Sequence, residues 1–195
     1  MKKNYIKGFT LIELLMVIAI IGLLAGILFP TIGSVRKDAG IAAGKAQLTQ
    51  YLNAIGKFKL EYGYYPFSKG KKDYVIDLSN ENVSRMFIEL LSGRDAETGD
   101  SKGVGGNKKR ITLHSFSEKE FYIGDDDLTL RTQLADRFNN TNIKIMIDGN
   151  DDGFIFPDPT LSNPQKPEQK LREQCTAWVE SEEIGSQPAY SLWED

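Results

Sequence analysis

An apolar segment at residues 9–29 places the strongest constraint on the fold of this chain, because only Thr10 and Glu13 interrupt it. As an α-helix with a rise of about 1.5 Å per residue, a segment of this length covers about 31 Å, which matches the hydrocarbon core of a bilayer. The pattern therefore predicts a membrane-spanning helix. The rest of the 195-residue chain is enough for one globular domain of modest size.

Three lysines, at positions 2, 3 and 7, precede the apolar segment, and none lies within it. This asymmetry predicts a cytoplasmic N-terminus and a C-terminal domain on the outer face of the membrane. The chain has 24 Lys and Arg against 27 Asp and Glu, and three of the 24 are these leader lysines, so the remainder is acidic. A mildly acidic remainder argues against a nucleic-acid partner.

Gly8 lies between the basic leader and the apolar segment, whereas an ordinary secretory signal has its cleavage site after the apolar stretch. Cleavage after Gly8 would remove the lysines, retain the helix and create a cationic amine at Phe9. Phe9 and Glu13 are four residues apart and therefore lie on the same helix face. A charge at bilayer depth costs about 2.5–3.5 kcal/mol on insertion scales unless a partner neutralises it.

We therefore expect the Phe9 amine to be the partner of Glu13. The pair can close within one chain, or between an incoming subunit and one already assembled. In a low dielectric such a pair is favourable only when its geometry is well matched. The alternative is that Glu13 reaches the membrane interface of a plain anchor.

Residues 7–15, with the sequence KGFTLIELL, resemble the processing and methylation motif of type IV pilins and of the pseudopilins of type II secretion. The resemblance implies that a prepilin peptidase cuts between Gly8 and Phe9 and converts Phe9 to N-methylphenylalanine. It also implies that Glu13 guides subunit docking. Residues 59–66, with the sequence KLEYGYYP, are similar to the helix end and following loop of the major pseudopilin.

The same resemblance implies that the helix loosens at Gly22, Gly26 and Pro30 when subunits assemble. Glycine costs about 1 kcal/mol relative to alanine within a helix, and proline removes an internal hydrogen bond. For the two glycines, ordinary close packing of membrane helices is the alternative explanation.

The expected fold is α+β and pilin-like, with a long N-terminal helix whose second half packs on a small antiparallel sheet. We expect a basic leader at residues 1–8, a membrane-spanning and filament-core helix at residues 9–29, and a periplasmic globular domain at residues 30–195. An amphipathic pattern continues the helix to about Tyr62, where Gly63 and Pro66 provide an end. The apolar positions of this second half are Ile41, Leu48, Leu52, Ile55 and Tyr62.

Further elements follow from local signals in the rest of the chain. Asn80 is a good N-cap for a second helix that ends at Gly93. Residues 94–109 are polar and glycine-rich and predict a mobile loop rather than a phosphate-binding loop. Leu192 and Trp193 are expected to pack back on the domain. Five strands are predicted, at residues 111–116, 121–123, 143–147, 154–156 and 175–179.

Residues 148–153, with the sequence DGNDDG, match the first half of a calcium loop, in which Asp148, Asn150 and Asp152 are the candidate ligands. The twelfth position is Pro159 instead of glutamate, so a complete EF-hand is excluded. The resemblance to major pseudopilins implies calcium binding in a C-terminal loop, but residues 180–183 depart from the pattern of that loop. The alternative is a tight turn between the strands at 143–147 and 154–156.

No pattern in the sequence predicts catalysis. His114 is the only histidine, and Cys175, the only cysteine, cannot form a disulfide within the chain. The acidic run at residues 125–127 predicts a solvated turn, and cation binding is the alternative.

The sequence therefore predicts a non-enzymatic structural subunit of a periplasmic pseudopilus of a type II secretion system, held in the inner membrane by a single pass before assembly. The resemblance implies as partners copies of the chain, other pseudopilins, prepilin peptidase and an inner-membrane assembly platform. A type IV pilin for adhesion, motility or DNA uptake is the first alternative. A membrane-tethered binding module or enzyme with a pilin-type anchor is the second.

Overall fold

The computed structural model describes residues 10–68, 70, 72–156, 171–181 and 188–193, and for residues 27–32 it describes the backbone alone. The predicted leader, residues 1–8, lies outside the described residues. The chain divides into two compact units, Met1–Ala39 and Gly40–Asp195. One helix, α1, comprises Leu11–Tyr62.

Helix α1 ends at Tyr62, as predicted. Gly63 follows with a φ of 78°, a conformation that favours glycine, and its N–H donates to the carbonyl oxygen of Lys59 at 2.8 Å. Within Gly40–Asp195, Leu48 and Ile55 are buried, and the other three predicted apolar positions are partly buried against the same core. The amphipathic pattern thus identified the correct face of the helix.

Helix α2, Glu81–Ser92, also lies where it was predicted. The side-chain oxygen of Asn80 accepts the N–H groups of Asn82 and Val83 at 3.0 and 3.3 Å, and so caps the first turn. Phe87 and Leu91 on one face of α2 are fully buried.

The strands form two antiparallel sheets. Strands β1 (Tyr74–Asp77), β4 (Ile143–Ile147), β5 (Cys175–Val179) and β6 (Tyr190–Ser191) make the main sheet, in the order β1, β4, β5, β6. Strands β2 (Phe121–Ile123) and β3 (Thr129–Leu134) form a separate hairpin, preceded by a short 3₁₀ helix, Glu118–Glu120. The expected α+β, pilin-like architecture with a long N-terminal helix and a small antiparallel sheet is confirmed.

Both faces of the main sheet are covered. The alternating isoleucines of β4 pack into the main core with α1 and α2, whereas Met146 and Trp178 lie on the opposite face. There Ile155, Leu171 and Trp193 complete a second apolar cluster, in which the ring centroids of Trp178 and Trp193 are 5.6 Å apart. The predicted packing of the C-terminal tryptophan on the domain is confirmed.

Two of the five predicted strands are wrong. In residues 111–116 the N–H groups of Leu113 and His114 both donate to the carbonyl oxygen of Leu91, at 2.7 and 3.1 Å, so this segment follows the end of α2 instead of joining a sheet. Residues 154–156 contribute an isolated bridge between Ile155 and Leu171. The expected hairpin with β4 is therefore also wrong, because β4 pairs with β1 on one side and β5 on the other.

The glycine-rich loop at residues 94–109 is tied to both helices through Asn107. Asn107 is fully buried, and its Nδ2 donates to the carbonyl oxygens of Leu90 and Ile111 at 2.7 and 2.8 Å. Its Oδ1 accepts the hydroxyl of Tyr62 at 2.6 Å. The segment is irregular, as predicted, but these bonds argue against the predicted mobility at its C-terminal end.

Candidate assembly interface

An apolar surface surrounds the first part of α1, within Met1–Ala39. Eleven large apolar side chains between Leu11 and Leu24 are 46–77% exposed. Successive helical residues point about 100° apart, so these side chains cover all sides of the helix. A helix that is apolar all round belongs in a membrane or among other apolar helices. The eleven are Leu11, Ile12, Leu14, Leu15, Met16, Val17, Ile18, Ile20, Ile21, Leu23 and Leu24.

The predicted membrane-spanning segment, residues 9–29, is described from residue 10 onward, and its side chains as far as residue 26. Within the described part of the chain, no helix reaches the combined length and apolarity of a membrane span. The spanning role stays a prediction.

Glu13 has a partner in its own chain. Its Oε2 accepts hydrogen bonds from the backbone N–H of Thr10 at 2.8 Å and from the Thr10 hydroxyl at 2.7 Å. The Thr10 Oγ1 in turn accepts the N–H of Glu13 at 3.3 Å. This reciprocal arrangement is a capping box at the start of α1, with Thr10 at the N-cap and Glu13 three residues later.

Sequence reasoning missed Thr10 as a partner of Glu13, although Thr-x-x-Glu before an apolar run is the signature of a capping box. The expected partner, the Phe9 amine, and the processing residue Gly8 both lie outside the described residues. Pairing of Glu13 with that amine, and cleavage and methylation at Gly8 and Phe9, stay predictions.

Gly22 and Gly26 lie on the exposed part of α1, where an added Cβ would meet no atom within 4 Å. The helical backbone is continuous through both glycines and through residue 30. In the part of the chain that the structure describes, neither glycine is closely packed. Loosening of the helix at Gly22, Gly26 and Pro30 on assembly stays a prediction.

The predicted calcium loop has the hydrogen bonds of a tight turn. The buried carboxylate of Asp148 accepts the N–H groups of Asp151 and Gly153, at 2.6 and 2.8 Å. Asn150 Oδ1 accepts the N–H of Asp152 at 2.8 Å, and Asp152 Oδ1 accepts that of Phe154 at 2.9 Å. These are the backbone hydrogen bonds of a tight turn rich in Asp, Asn and Gly.

The described residues contain no group of three or more His, Cys, Asp or Glu side chains arranged to hold a metal. The assignment of calcium to Asp148, Asn150 and Asp152 stays a prediction. The expected turn is present, but it leads from β4 toward the bridge at Ile155 instead of into a second strand.

The single histidine belongs to a buried polar network. His114 Nε2 lies 3.0 Å from Glu120 Oε2, which also accepts the hydroxyl of Tyr51 at 3.0 Å. Burial acts to raise the pKa of Glu120, but hydrogen bonds from His114 and Ser117 outweigh this effect and hold the pKa below its usual range. The hydrogen bond from Tyr51 to Glu120 joins α1 to the 3₁₀ helix that precedes the β2–β3 hairpin.

Cys175 lies partly buried on β5. Burial raises the pKa of its thiol to about 11. A thiol with so high a pKa is almost wholly protonated at neutral pH and is a poor nucleophile.

Comparison with known proteins points to filament-forming proteins. Residues 3–29 match the family model described as the prokaryotic N-terminal methylation motif. The type IV wide pilus major component PilA4 of Thermus thermophilus is 50% identical over 56 residues, which are 29% of this chain and 40% of that protein. The type IV major pilin protein PilE1 of Neisseria gonorrhoeae is 29% identical over 117 residues, 58% of this chain and 70% of that protein.

The type II secretion system core protein G of Aeromonas hydrophila is 29% identical over 77 residues, 40% of this chain and 54% of that protein. The chain thus spans between 40% and 70% of the length of these three relatives. No solved structure gives a significant match. The motif and the relatives identify the chain as similar to the type IV pilins and to the major pseudopilin of type II secretion.

Proposed function

We propose that this chain is a non-enzymatic structural subunit that polymerises through its N-terminal helix into a periplasmic pseudopilus of a type II secretion system. The observation that carries the proposal is the apolar surface around α1 from Leu11 to Leu24, with one carboxylate, Glu13, near its start. Each large side chain left in water forgoes about 1.5–3 kcal/mol that full burial would supply. This surface is therefore favourable only when lipid or other apolar helices cover it.

Polar groups gain importance when such a helix leaves the membrane for a filament. Lipid tails are as apolar as leucine, so exchanging them for neighbouring helices gains little from the hydrophobic effect. Apolar contacts alone then discriminate weakly between registers. Glu13 is the only charged residue in segment 9–29, and an unpaired charge in a low dielectric is costly. We infer that it pairs with the Phe9 amine of a neighbouring subunit and so sets the register.

Processing supplies that amine. A prepilin peptidase would cut between Gly8 and Phe9 and methylate Phe9, and the family match over residues 3–29 supports this step. Until assembly the subunit would cross the inner membrane once, with its globular unit in the periplasm. The assembly platform would then extract it. The open space beside Gly22 and Gly26 would allow neighbouring helices to approach closely.

A type IV pilus is the second candidate. The longer match to PilE1, 117 residues against 77 for protein G, favours it. The single cysteine supports a pseudopilus, because it cannot close a C-terminal disulfide loop of the kind implied for many type IV pilins. Residues 191–195, with the sequence SLWED, resemble the C-terminal region of major pseudopilins and also support a pseudopilus.

Deletion of the gene distinguishes the two filaments. A pseudopilus subunit predicts that secreted proteins accumulate in the periplasm while surface pili remain. Loss of surface pili with normal secretion would instead favour the type IV pilus. Genes for a secretion ATPase and an outer-membrane channel beside this one would support the first outcome.

The assembly mechanism is tested with Glu13→Ala and a matched control, Asp38→Ala, which removes an exposed carboxylate from the same helix outside the apolar segment. Both variants should be cleaved after Gly8, as mass spectrometry of the mature N-terminus would show. Only Glu13→Ala should lose sheared filaments. A normal filament yield in that variant would contradict the register argument. A wild-type chain that stays in the membrane and never appears in filaments would favour a tethered module.

A further inference from the structure

Packing on α1 within the globular unit begins at Gly40. Residues 33–39 of the helix are all exposed, whereas Gly40 is partly buried and Gly44 is buried. The division of the chain into compact units falls at the same place, between Ala39 and Gly40. Unwinding that starts in the exposed part of the helix would therefore reach these two glycines before it reached the buried core positions of α1.

Two aromatic rings lie directly on these glycines. A Cβ added at Gly40 would overlap the ring of Phe138, and one added at Gly44 would overlap the phenol of Tyr190. Both rings therefore occupy the space that the missing side chain of glycine leaves. By contrast, a Cβ at Gly33, in the exposed part of the helix, would meet no atom within 4 Å.

A hydrogen bond extends this contact by one more turn. Nε2 of Gln47 donates to the carbonyl oxygen of Ala135 at 2.9 Å. Gly40, Gly44 and Gln47 follow one another at spacings of four and three residues, so they lie on one side of the helix. Their partners come from two segments only, the loop after β3 and strand β6.

One buried carboxylate, that of Asp136, positions both rings. Its Oδ1 accepts the backbone N–H groups of Phe138 and Asn140 at 2.8 and 2.9 Å, and its Oδ2 accepts the hydroxyl of Tyr190 at 2.9 Å. Displacement of one ring therefore disturbs the hydrogen bonds that hold the other. We call Asp136, Phe138 and Tyr190 the aromatic latch.

Glycine makes this part of α1 dependent on the latch. Each glycine within a helix costs about 1 kcal/mol relative to alanine. Most of the stability of a helix in a protein comes from packing of one face, so contact with the rings offsets this cost at Gly40 and Gly44. Nothing in the described part of the chain offsets it at Gly33.

We propose that the aromatic latch stops unwinding of α1 at Gly40, so that the exposed part of the helix loosens while the residues from Gly40 onward stay helical on the globular unit. The inference rests on the proposed function, in which α1 is extracted from the membrane and packs among other helices. Local unfolding occurs in cooperative units, and tertiary packing sets their limits. The latch is the first such packing on α1 after the exposed residues 33–39.

Amide hydrogen exchange of the full chain tests the latch, in detergent micelles and in sheared filaments. In the wild type, exchange should be fast at residues 33–39 and slow from residue 40 onward. Phe138→Ala should speed the exchange of residues 40–48 about tenfold relative to residues 54–58, which corresponds to about 1.4 kcal/mol of local stability. The matched control, Phe116→Ala, removes another partly buried ring from the same core and should leave this ratio unchanged.

Equal acceleration by both variants, or none by Phe138→Ala, would overturn the latch. Fast exchange beyond Gly44 in wild-type filaments would overturn it as well. Phe138→Leu keeps a smaller apolar side chain and decides the matter in the same way if the alanine variant does not fold. The comparison in micelles needs no filaments. A wild-type chain that forms none would therefore contradict the proposed function while the latch is still decided by the exchange rates.

Discussion

The hydroxyl of Tyr190 donates a hydrogen bond of 2.9 Å to Oδ2 of Asp136, and both residues are buried. The other carboxylate oxygen of Asp136 accepts the N–H groups of Phe138 and Asn140, at 2.8 and 2.9 Å. Tyr190 belongs to β6, and its hydroxyl also lies against Gly44 of α1. One phenol therefore joins the C-terminal strand to the long helix and to the loop after β3.

Tyr190→Phe should lower the free energy of unfolding by about 1–3 kcal/mol, because it leaves a buried carboxylate oxygen without its donor while preserving the ring. Urea denaturation of the full chain in detergent micelles, followed by tryptophan fluorescence, measures the change. Tyr64→Phe removes a hydroxyl from a half-exposed ring and should change stability by less than about 0.5 kcal/mol. Equal effects of the two substitutions would show that the Tyr190 hydrogen bond contributes little.

Two alanine substitutions on α1 should have opposite effects. A Cβ at Gly44 would lie 2.0 Å from the Tyr190 hydroxyl oxygen, so Gly44→Ala should destabilise by about 1–3 kcal/mol through overpacking. A Cβ at Gly56 would meet no atom within 4 Å, so Gly56→Ala should stabilise by about 1 kcal/mol through helix propensity. The same urea measurement compares them. Stabilisation by both would mean that Tyr190 does not pack against Gly44.

Asp136 should make stability fall as pH rises. Burial raises its pKa above the usual 3.8, against the opposing effect of its hydrogen bonds. At pH values between 3.8 and the raised pKa, the folded chain binds more protons at Asp136 than the unfolded chain. The stabilisation from this difference is complete below pH 3.8 and is lost as pH rises through the folded pKa. Asp136→Asn removes this dependence.

The check compares urea midpoints of the wild type and Asp136→Asn across acidic to neutral pH. Glu120, whose pKa is lowered, has the opposite dependence, but it is common to both proteins and cancels in the difference. The wild type should lose stability relative to Asp136→Asn as pH rises. A constant difference would contradict the raised pKa.

The helices could be predicted because their ends carry local signals. Asn80, Gly93 and Gly63 are cap residues whose effect depends on their immediate neighbours. The short strands could not be predicted in the same way. β6 has two residues, and its place depends on the bond from Tyr190 to Asp136, 54 positions away. Residues 111–116 have the composition of a strand, but the carbonyl oxygen of Leu91 binds two of their N–H groups.

Part of the candidate interface could be predicted from the sequence. Glu13 was identified because a charge inside an apolar run is unusual, whereas its partner Thr10 was overlooked in favour of the Phe9 amine. The turn at residues 125–127 was predicted and is exposed. The apolar flanks of that turn were not recognised, because their exposure depends on how the hairpin projects from the core. The N–H of Ile123 donates to Oδ1 of Asn139 at 2.8 Å, and this hydrogen bond spans 16 positions and has no local signature.

The loop at residues 148–153 should depend on Asp148 even without calcium. Asp148→Ala removes an acceptor for several N–H groups and should destabilise by about 1–3 kcal/mol. Asp152→Asn keeps the shape and the acceptor oxygen and should have little effect. Thermal unfolding with and without millimolar calcium tests the metal: the turn geometry predicts no shift. A rise in the wild-type midpoint that Asp152→Asn abolishes would establish calcium binding instead.

Thr10→Ala should distinguish two roles of Glu13, capping of its own helix and pairing with the Phe9 amine of a neighbouring subunit. The capping box within one chain needs the Thr10 hydroxyl, which donates to Glu13 at 2.7 Å, whereas pairing with the Phe9 amine of a neighbour does not. Loss of the cap should weaken the start of α1 by about 1 kcal/mol. If Glu13 acts chiefly between subunits, Thr10→Ala should still form filaments at near wild-type yield while Glu13→Ala does not. Equal loss of filaments in both variants, with normal cleavage after Gly8, would show that the carboxylate acts by capping its own helix.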